Sequence, residues 1–481
     1  MAGYKRLAIV PQIRARNVKP LSLISNGLGY VNLGVSARML RSLYVFFLIF
    51  STLPVILWKP HVGVLVWSWI SYMNPHRLTY GIAYQFNFLD YVAAAALVST
   101  LLAREPKSLP KHPLVWLLAA YFIWITITSA FADAQALAWD KWWNFSKVIL
   151  FTFVTMMLMQ TKERLHALLW VIVLSIGFFA MKGGLFTIMT AGASRVWGPP
   201  STFFEDNNDF ALACVMLVPL VRYMQTAVET KYLRWIMLAS VFIGLFAIFG
   251  TQSRGALVGI SSMLLFLVWK SKRFIFGIAA IGFAVAIGLV FMPDSWRERM
   301  STIEKYQEDA SAQGRLDMWK FAIDVAADHP IVGGGFDMFY NNKYRAIYLP
   351  EGTQGRAVHS LYFEVLGEHG YVGLILYLLI GITTFFTCGG IIQRTRDHPD
   401  IKWAGTLAAM IQVSLVGFAS AGAFLTVATF DLYFHLVAVT AMLKVMVDRA
   451  LAGVVVKASE EAVAVPPATP YPAGKFGGFK R

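Results

Sequence analysis

Residues 165–188 read LHALLWVIVLSIGFFAMKGGLFTI, a largely apolar run of the length that crosses a bilayer as one helix. A bilayer-crossing helix needs about 20 such residues. Runs of the same kind recur at 88–102, 113–131, 145–160, 208–225, 233–250, 255–271 and 274–292. After a polar interval they return at 361–390, 402–423 and 428–448. Near the start, 43–58 and 62–73 are both apolar but short, with Lys59-Pro60-His61 between them. They read either as two thin helices or as one crossing broken at the proline. Of the 481 residues, 57% are hydrophobic and only 14% charged, against about 25% charged in soluble domains. Too few charges remain to cover a water-facing surface, which excludes a cytosolic enzyme, a nucleic-acid binder and a disordered scaffold. The sequence predicts an all-α integral membrane protein.

The formal charge is +15, and its distribution reports topology rather than a nucleic-acid partner. Lys5, Arg6, Arg14, Arg16, Lys19, Arg38 and Arg41 crowd residues 1–42 without one acidic residue, whereas the long polar stretch 293–358 is slightly acidic. Lys162 with Arg164, Lys231 with Arg234, Lys270 with Lys272 and Arg273, and Arg394 with Arg396 and Lys402 mark alternate loops. The positive-inside rule places those loops in the cytoplasm. Loops 132–144, 189–207, 251–254 and 293–358 then face outward. A cytoplasmic basic N-terminus favours 43–73 as one broken or re-entrant unit and about 12 crossings; thirteen with an outside N-terminus is the rival count.

Five segments follow. Residues 1–38 form a basic cytoplasmic extension without the apolar core of a cleavable signal peptide, and Met39 offers a more ordinary start. Residues 39–292 form an N-terminal transmembrane bundle, 293–358 a large outer loop, and 359–450 the C-terminal transmembrane helices. Residues 451–481 form a cytoplasmic tail, Pro-, Ala- and Gly-rich from about 458 and predicted to be disordered. Within the loop, 313–328 (QGRLDMWKFAIDVAAD) spaces Leu316, Trp319, Ala322, Ile323 and Ala326 as one apolar stripe of an amphipathic helix. His329-Pro330 ends that helix, and Gly333-Gly334-Gly335 predicts a flexible turn.

Charges at membrane depth are costly and mark function by default. Arg254, in TQSRGALVG, stands at the outer mouth of the 255–271 span. A guanidinium there can grip phosphate oxygens bidentately, although an interfacial arginine reaching for water has the same local signature. Arg195 lies in ASRVWGPPSTFFEDNNDFA, an outer loop entering the 208–225 span. It reads as a second anion-binding arginine or as an exposed loop residue. Asn207-Asn208-Asp209 offers a helix N-cap, and either Asn208 or Asn207 suits the positioning of a polar substrate. His359 opens HSLYFEVLGEHGYVG at the outer end of the next span, where imidazole is the usual general base near neutral pH. On an unbroken helix Glu364 and Glu368 point away from it, free to satisfy other helices. Arg315 and Asp317 begin the loop helix, and Arg356 precedes His359 by three residues.

Cys214 and Cys388 lie inside apolar runs as small buried hydrophobes, and the scattered histidines have no metal-ligand spacing. No metal site and no cofactor is expected. There is no phosphate-binding GxxxxGK[ST] and no DxD pair. The cluster Glu205-Asp206-Asn207-Asn208-Asp209 reads as a cap with a hydrogen-bonding loop.

Ser253-Arg254-Gly255 opening a helix, Gly314-Arg315-Leu316 through Trp319, Asp328-His329-Pro330 through Gly335, and His359-Ser360-Leu361-Tyr362 with Glu368-His369-Gly370 follow in a telling order. An arginine stands at a helix mouth, a large outer loop follows, and a histidine opens the next helix. In this the chain resembles the O-antigen ligase and polymerase superfamily of polytopic glycan transferases. Upstream, Trp67-Ser68-Trp69-Ile70-Ser71 and Asn74-Pro75-His76-Arg77-Leu78 resemble the exosortase-associated O-glycosylation ligases. Ser360 departs from the asparagine that many members carry after the histidine.

The resemblance implies a GT-C-like helical architecture in the bacterial inner membrane and a periplasmic active site. It implies metal-independent, inverting transfer of a glycan from undecaprenyl diphosphate to a lipid A-core sugar or a protein hydroxyl. Arg254 and His359 would be catalytic, with Arg195, Arg315, Asn208 and Arg356 binding substrate. A polymerase, whose acceptor is another lipid-linked glycan, shares fold and donor. A transporter of the lipid-linked glycan is the reading from a different class, and the chain carries no convincing internal repeat to favour it.

Overall fold

The computed structural model describes residues 27–105, 107–200, 202–270, 310–350 and 355–463. Within them the chain is helical, without a strand. The apolar run 274–292, residues 1–26 of the basic extension and 464–481 of the tail lie outside the described residues. The first helices are α1 (Gly27–Phe50), α2 (Leu53–Trp58) and α3 (Pro60–Met73), then a short α4 (Ile82–Gln85) and α5 (Phe88–Leu102). Next come α6 (Pro113–Ala130), α7 (Gln135–Leu158), α8 (Lys162–Met189), α9 (Asn207–Ala227), α10 (Lys231–Gly250) and α11 (Arg254–Lys270). The remainder are α12 (Ala310–Asp328), α13 (Asn342–Tyr348), α14 (Leu361–Arg394), α15 (Lys402–Gly422) and α16 (Asp431–Val463).

Among the described residues, seven helices are long and apolar enough to cross a membrane. Over the described residues the chain is all-helical, in keeping with a polytopic membrane protein. Their boundaries follow the apolar runs to within a few residues, because burial in lipid leaves the backbone no partner but itself. The break at Lys59-Pro60 has its expected cause. The residue before a proline is pushed out of the helical region, and Lys59 is extended at φ −128° and ψ 93°. Pro60 then occupies the first helical position of α3, where its missing N–H costs nothing. The piece before the break, Met39–Trp58, reaches membrane length by itself.

At the centre of the bundle, α9 and α15 are mostly buried, whereas Met39–Trp58 and α10 leave most side chains on the outer surface. Helix α11 crosses α15 closely: a Cβ on Gly259 would come 2.8 Å from Ala421 Cβ and 3.1 Å from the Gly417 carbonyl oxygen. Small residues at such crossings let backbones approach where no water-driven force presses them together.

Two expectations about the loop need correction. Helix α12 is amphipathic, but it buries Met318, Phe321, Ala322, Val325 and Ala326, while Leu316 and Ile323 are each 45% exposed. Its buried face is rotated about a quarter turn from the expected stripe, at 100° per residue. The bulkier Met318 and Phe321 select the face, packing on Met338, Phe339, Tyr344 and Leu349. The glycine turn, in turn, is fitted rather than flexible. The N–H groups of Gly334 and Gly335 donate to the carbonyls of Gly367 (2.8 Å) and Glu368 (2.9 Å). Opposite them α14 breaks at Gly370, whose φ of 67° is left-handed. A Cβ on Gly333 (φ 64°) would sit 2.6 Å from the Gly367 oxygen, and one on Gly370 would sit 2.3 Å from the Ile331 oxygen.

Candidate functional site

One half of the site is a pair of loops joined by main-chain hydrogen bonds. Helix α9 begins because Asp206, in extended conformation, accepts the N–H of Asn208 at 2.8 Å. Asp206, not the asparagines, is therefore the N-cap, and the N-terminal preference for a short acidic side chain explains it. The Asn208 side-chain amide also donates to Asp206, at 2.9 Å. Asn207 is buried and reaches across instead, donating to the Thr251 carbonyl at 2.9 Å. The loop ahead of α9 is fixed to the same turn: the Val196 N–H donates to the Gly250 carbonyl at 2.8 Å. Arg195 and Arg254 are thereby held on adjoining segments. Arg195 lies over the Trp197 ring at 5.5 Å, and its Nε is buried without a hydrogen-bond partner among the described residues. Ser253 Oγ accepts the Ala256 N–H at 3.2 Å and caps the helix that Arg254 opens.

The other half is built by α12 and the start of α14. His359 has φ 47°, a left-handed conformation uncommon outside glycine, and its N–H donates to Thr426 Oγ1 at 2.9 Å. Trp319 Nε1 donates to the Val358 carbonyl at 2.9 Å and stacks on Phe363, which pins α12 beside His359. Arg315 stands one helical turn before Trp319, so it shares that face. Arg356 is close by: a Cβ on Gly314 would come 3.1 Å from its Nη1.

The turn between α15 and α16 joins the halves. Gly255, next to Arg254, faces Phe424, whose Cβ a Cβ on Gly255 would meet at 3.3 Å, while Thr426 holds His359. Burial holds the His359 imidazole below its ordinary pKa, the Arg315 charge pushes the same way, and the Asp206 carboxylate pulls back. The imidazole is accordingly neutral at neutral pH and able to accept a proton. The structure thus gathers Arg195, Arg254, Arg315, Arg356 and His359 at one end of the bundle, where α9, α11 and α14 also point their N-termini. Helix N-termini favour anions.

Sequence reasoning missed Lys141. Its Nζ lies 2.8 Å from Glu368, 3.1 Å from Glu364 and 3.2 Å from Asp337. Glu364 and Glu368 are almost wholly buried, 2% and 1% exposed. The second carboxylate oxygen of Glu364 accepts the Ala428 N–H at 3.0 Å, and Glu368 accepts the Asp337 N–H at 2.9 Å. The two glutamates do satisfy other elements, as one reading of the sequence allowed. The signal was a pair of acids inside an apolar helix, which requires a cation somewhere in the bundle.

Residues 239–378 match the family described as O-antigen ligase, a stretch that carries Arg254, Arg315, Arg356 and His359. Residues 40–230, with Arg195, Asn208 and Lys141, match a family of unknown function (DUF5935). An uncharacterized protein of Haemophilus influenzae is 30% identical over 91 residues, covering 18% of this chain and 23% of that protein. An arginine-opened helix, a loop helix and a histidine at the next helix all fall inside the 239–378 stretch that is similar to the O-antigen ligase family.

Proposed function

We propose that this protein is a ligase that moves a preassembled glycan from undecaprenyl diphosphate to an acceptor hydroxyl of a lipid A-core sugar. The reaction takes place at the periplasmic face of the inner membrane, without metal and with inversion at the anomeric carbon. The observation that carries this reading is that Arg195, Arg254 and Arg315 stand with a neutral His359 at one helix-terminus-rich end of the bundle. The lysines and arginines of the short connecting loops mark the opposite end as cytoplasmic.

The donor's anomeric C–O bond breaks with its electron pair leaving on the diphosphate. Arg254 and Arg195 offset the charge that grows there, a contribution that is usually the largest single one. The acceptor oxygen attacks the anomeric carbon from the opposite face while His359 takes its proton, which then passes to solvent. Bond energy for transfer resides in the donor, so no nucleotide is consumed. Arg315 and Arg356, on the loop helix and the segment leading to His359, close over the diphosphate. Two finer variants share this chemistry: a protein serine or threonine as acceptor, as in the exosortase-associated branch, and a second lipid-linked glycan, as in a polymerase.

The test is purified protein in detergent with undecaprenyl-diphosphate glycan and lipid A-core, free of nucleotide and metal. Wild type should yield a slower-migrating lipid product. Arg254→Ala should lower kcat by roughly 10²–10³-fold and His359→Ala by roughly 10²–10⁴-fold. Longer lipid-linked chains in place of that product would assign a polymerase. No transfer to any acceptor, or full activity of His359→Ala, would overturn the mechanism.

A further inference from the structure

A cavity of about 760 Å³ opens at the same end of the bundle but contains none of the arginines or the histidine just described. It lies behind a shared wall: Thr426, which holds the His359 N–H, lines it, and so do Thr202 and Asp209, which flank the Asp206 cap. Its other walls come from the 67–90 segment, the first turns of α7 and the start of α16.

The charges of this cavity argue against a second phosphate site. Each of its three basic side chains already has a partner, although Arg77 Nε is buried without one among the described residues. Arg77 donates to the Tyr84 carbonyl at 2.9 Å and stacks on that ring. Lys147 pairs with Asp90 at 2.9 Å, and Lys141 is surrounded by Asp337, Glu364 and Glu368. Five aspartates line the cavity against those three cations, so an anion would meet net repulsion.

What the walls offer instead is hydrogen bonding next to apolar faces. Asn74, Asn144 and Asp140 stand beside Trp67, Phe88 and Phe203. Two lining side chains that are more than nine-tenths buried keep a ring nitrogen without a hydrogen-bond partner among the described residues: Trp67 Nε1 and His76 Nδ1. Buried polar atoms are almost always satisfied in folded proteins, and these two belong to residues of one cavity wall. His76 lies outside the spans and is held neutral by burial, its pKa down to about 4, so its ring can both donate and accept.

We propose that this cavity is a carbohydrate subsite, which holds a hydroxyl-rich, uncharged sugar portion of one of the two substrates beside His359. The inference rests on the glycan-transfer reading above and deepens it. It assigns sugar recognition mainly to residues within 40–230, and diphosphate recognition to the arginines across the wall. The sugar belongs either to the donor glycan or to the acceptor core.

Ligand-observed NMR on the full-length protein in detergent separates these sources. The probes are delipidated core oligosaccharide and the glycan released from the donor. Asn144→Ala, at an exposed position that should fold normally, and His76→Gln, which keeps a polar side chain, serve as variants. Each should weaken binding of the same one probe by about five- to tenfold, the loss of one hydrogen bond. Each should also raise KM for that substrate while kcat stays within about twofold. Weakened core binding assigns the acceptor, and weakened binding of the released glycan assigns the donor. If wild type transfers glycan while both variants bind both probes and show both KM values as wild type does, the subsite is wrong and the transferase reading stands. If wild type transfers nothing yet binds one probe in a manner sensitive to Asn144 and His76, the subsite stands and the transferase reading falls.

Discussion

His359 sits half-buried in a left-handed turn, with Arg315 and Asp206 acting on it in opposite senses. Because burial and Arg315 lower its pKa, the imidazole stays a competent base until the pH falls through that depressed value. Activity should therefore be flat around neutrality and decline on an acid limb below pH 6.5, the ordinary histidine pKa. Arg315→Gln removes the repelling charge and should move the acid limb of kcat to higher pH. Asp206→Asn should move it lower while still capping α9, since asparagine is as good an N-cap as aspartate. A pH profile unchanged in both variants would exclude His359 as the titrating base. The residue types at these helix mouths were legible in the sequence, because a charge at the end of an apolar run stands out. Their pairing was not. That Asp206 acts on His359 depends on two loops meeting across more than 150 positions, and which asparagine bridges to Thr251 depends on which residue caps the helix.

The elements that carry these residues are set by a few backbone constraints. Helix α14 breaks at Gly370, and the Gly333–Gly335 turn fills the break with two main-chain hydrogen bonds. Gly370→Ala must place a Cβ at φ 67° against the Ile331 carbonyl. It should cost about 1–3 kcal/mol, read as a lowered thermal unfolding midpoint in detergent. A wild-type midpoint would mean that the break is not a fitted joint. Glycines in a row announce a turn, but nothing in them tells whether another backbone docks there. The face of α12 was misread for a related reason. Small Ala322 and Ala326 fit both the expected stripe and the observed one, and the large Met318 and Phe321 decide between them only once their partners at 338–349 are in place.

At the scale of the molecule, bilayer thickness makes helices legible, and the apolar runs that became α6, α8, α9, α10, α11 and α15 needed nothing else. Contacts between helices are governed by pairing that no single run displays. Lys141 on α7 is the ammonium at the centre of three carboxylates, two of them on α14. Lys141→Met would leave those carboxylates buried without a counter-ion, a loss of about 3–5 kcal/mol. Pairing it with Glu368→Gln should restore part of that loss, and Lys141→Arg should lose less. Thermal unfolding of the single and double variants measures the coupling, and additive losses would refute it.

That ion cluster has a consequence for modularity. Lys141 comes from the segment matched to a family of unknown function, while Glu364 and Glu368 come from the O-antigen ligase segment. Two separately catalogued stretches therefore share one set of buried charges. Neither can be exchanged for a homologous piece unless the donor sequence brings a matching ion at the seam, so chimeras intended to graft a new sugar preference must carry α7 and α14 together. The boundary between the two matched stretches is a boundary of description, and the folded unit crosses it.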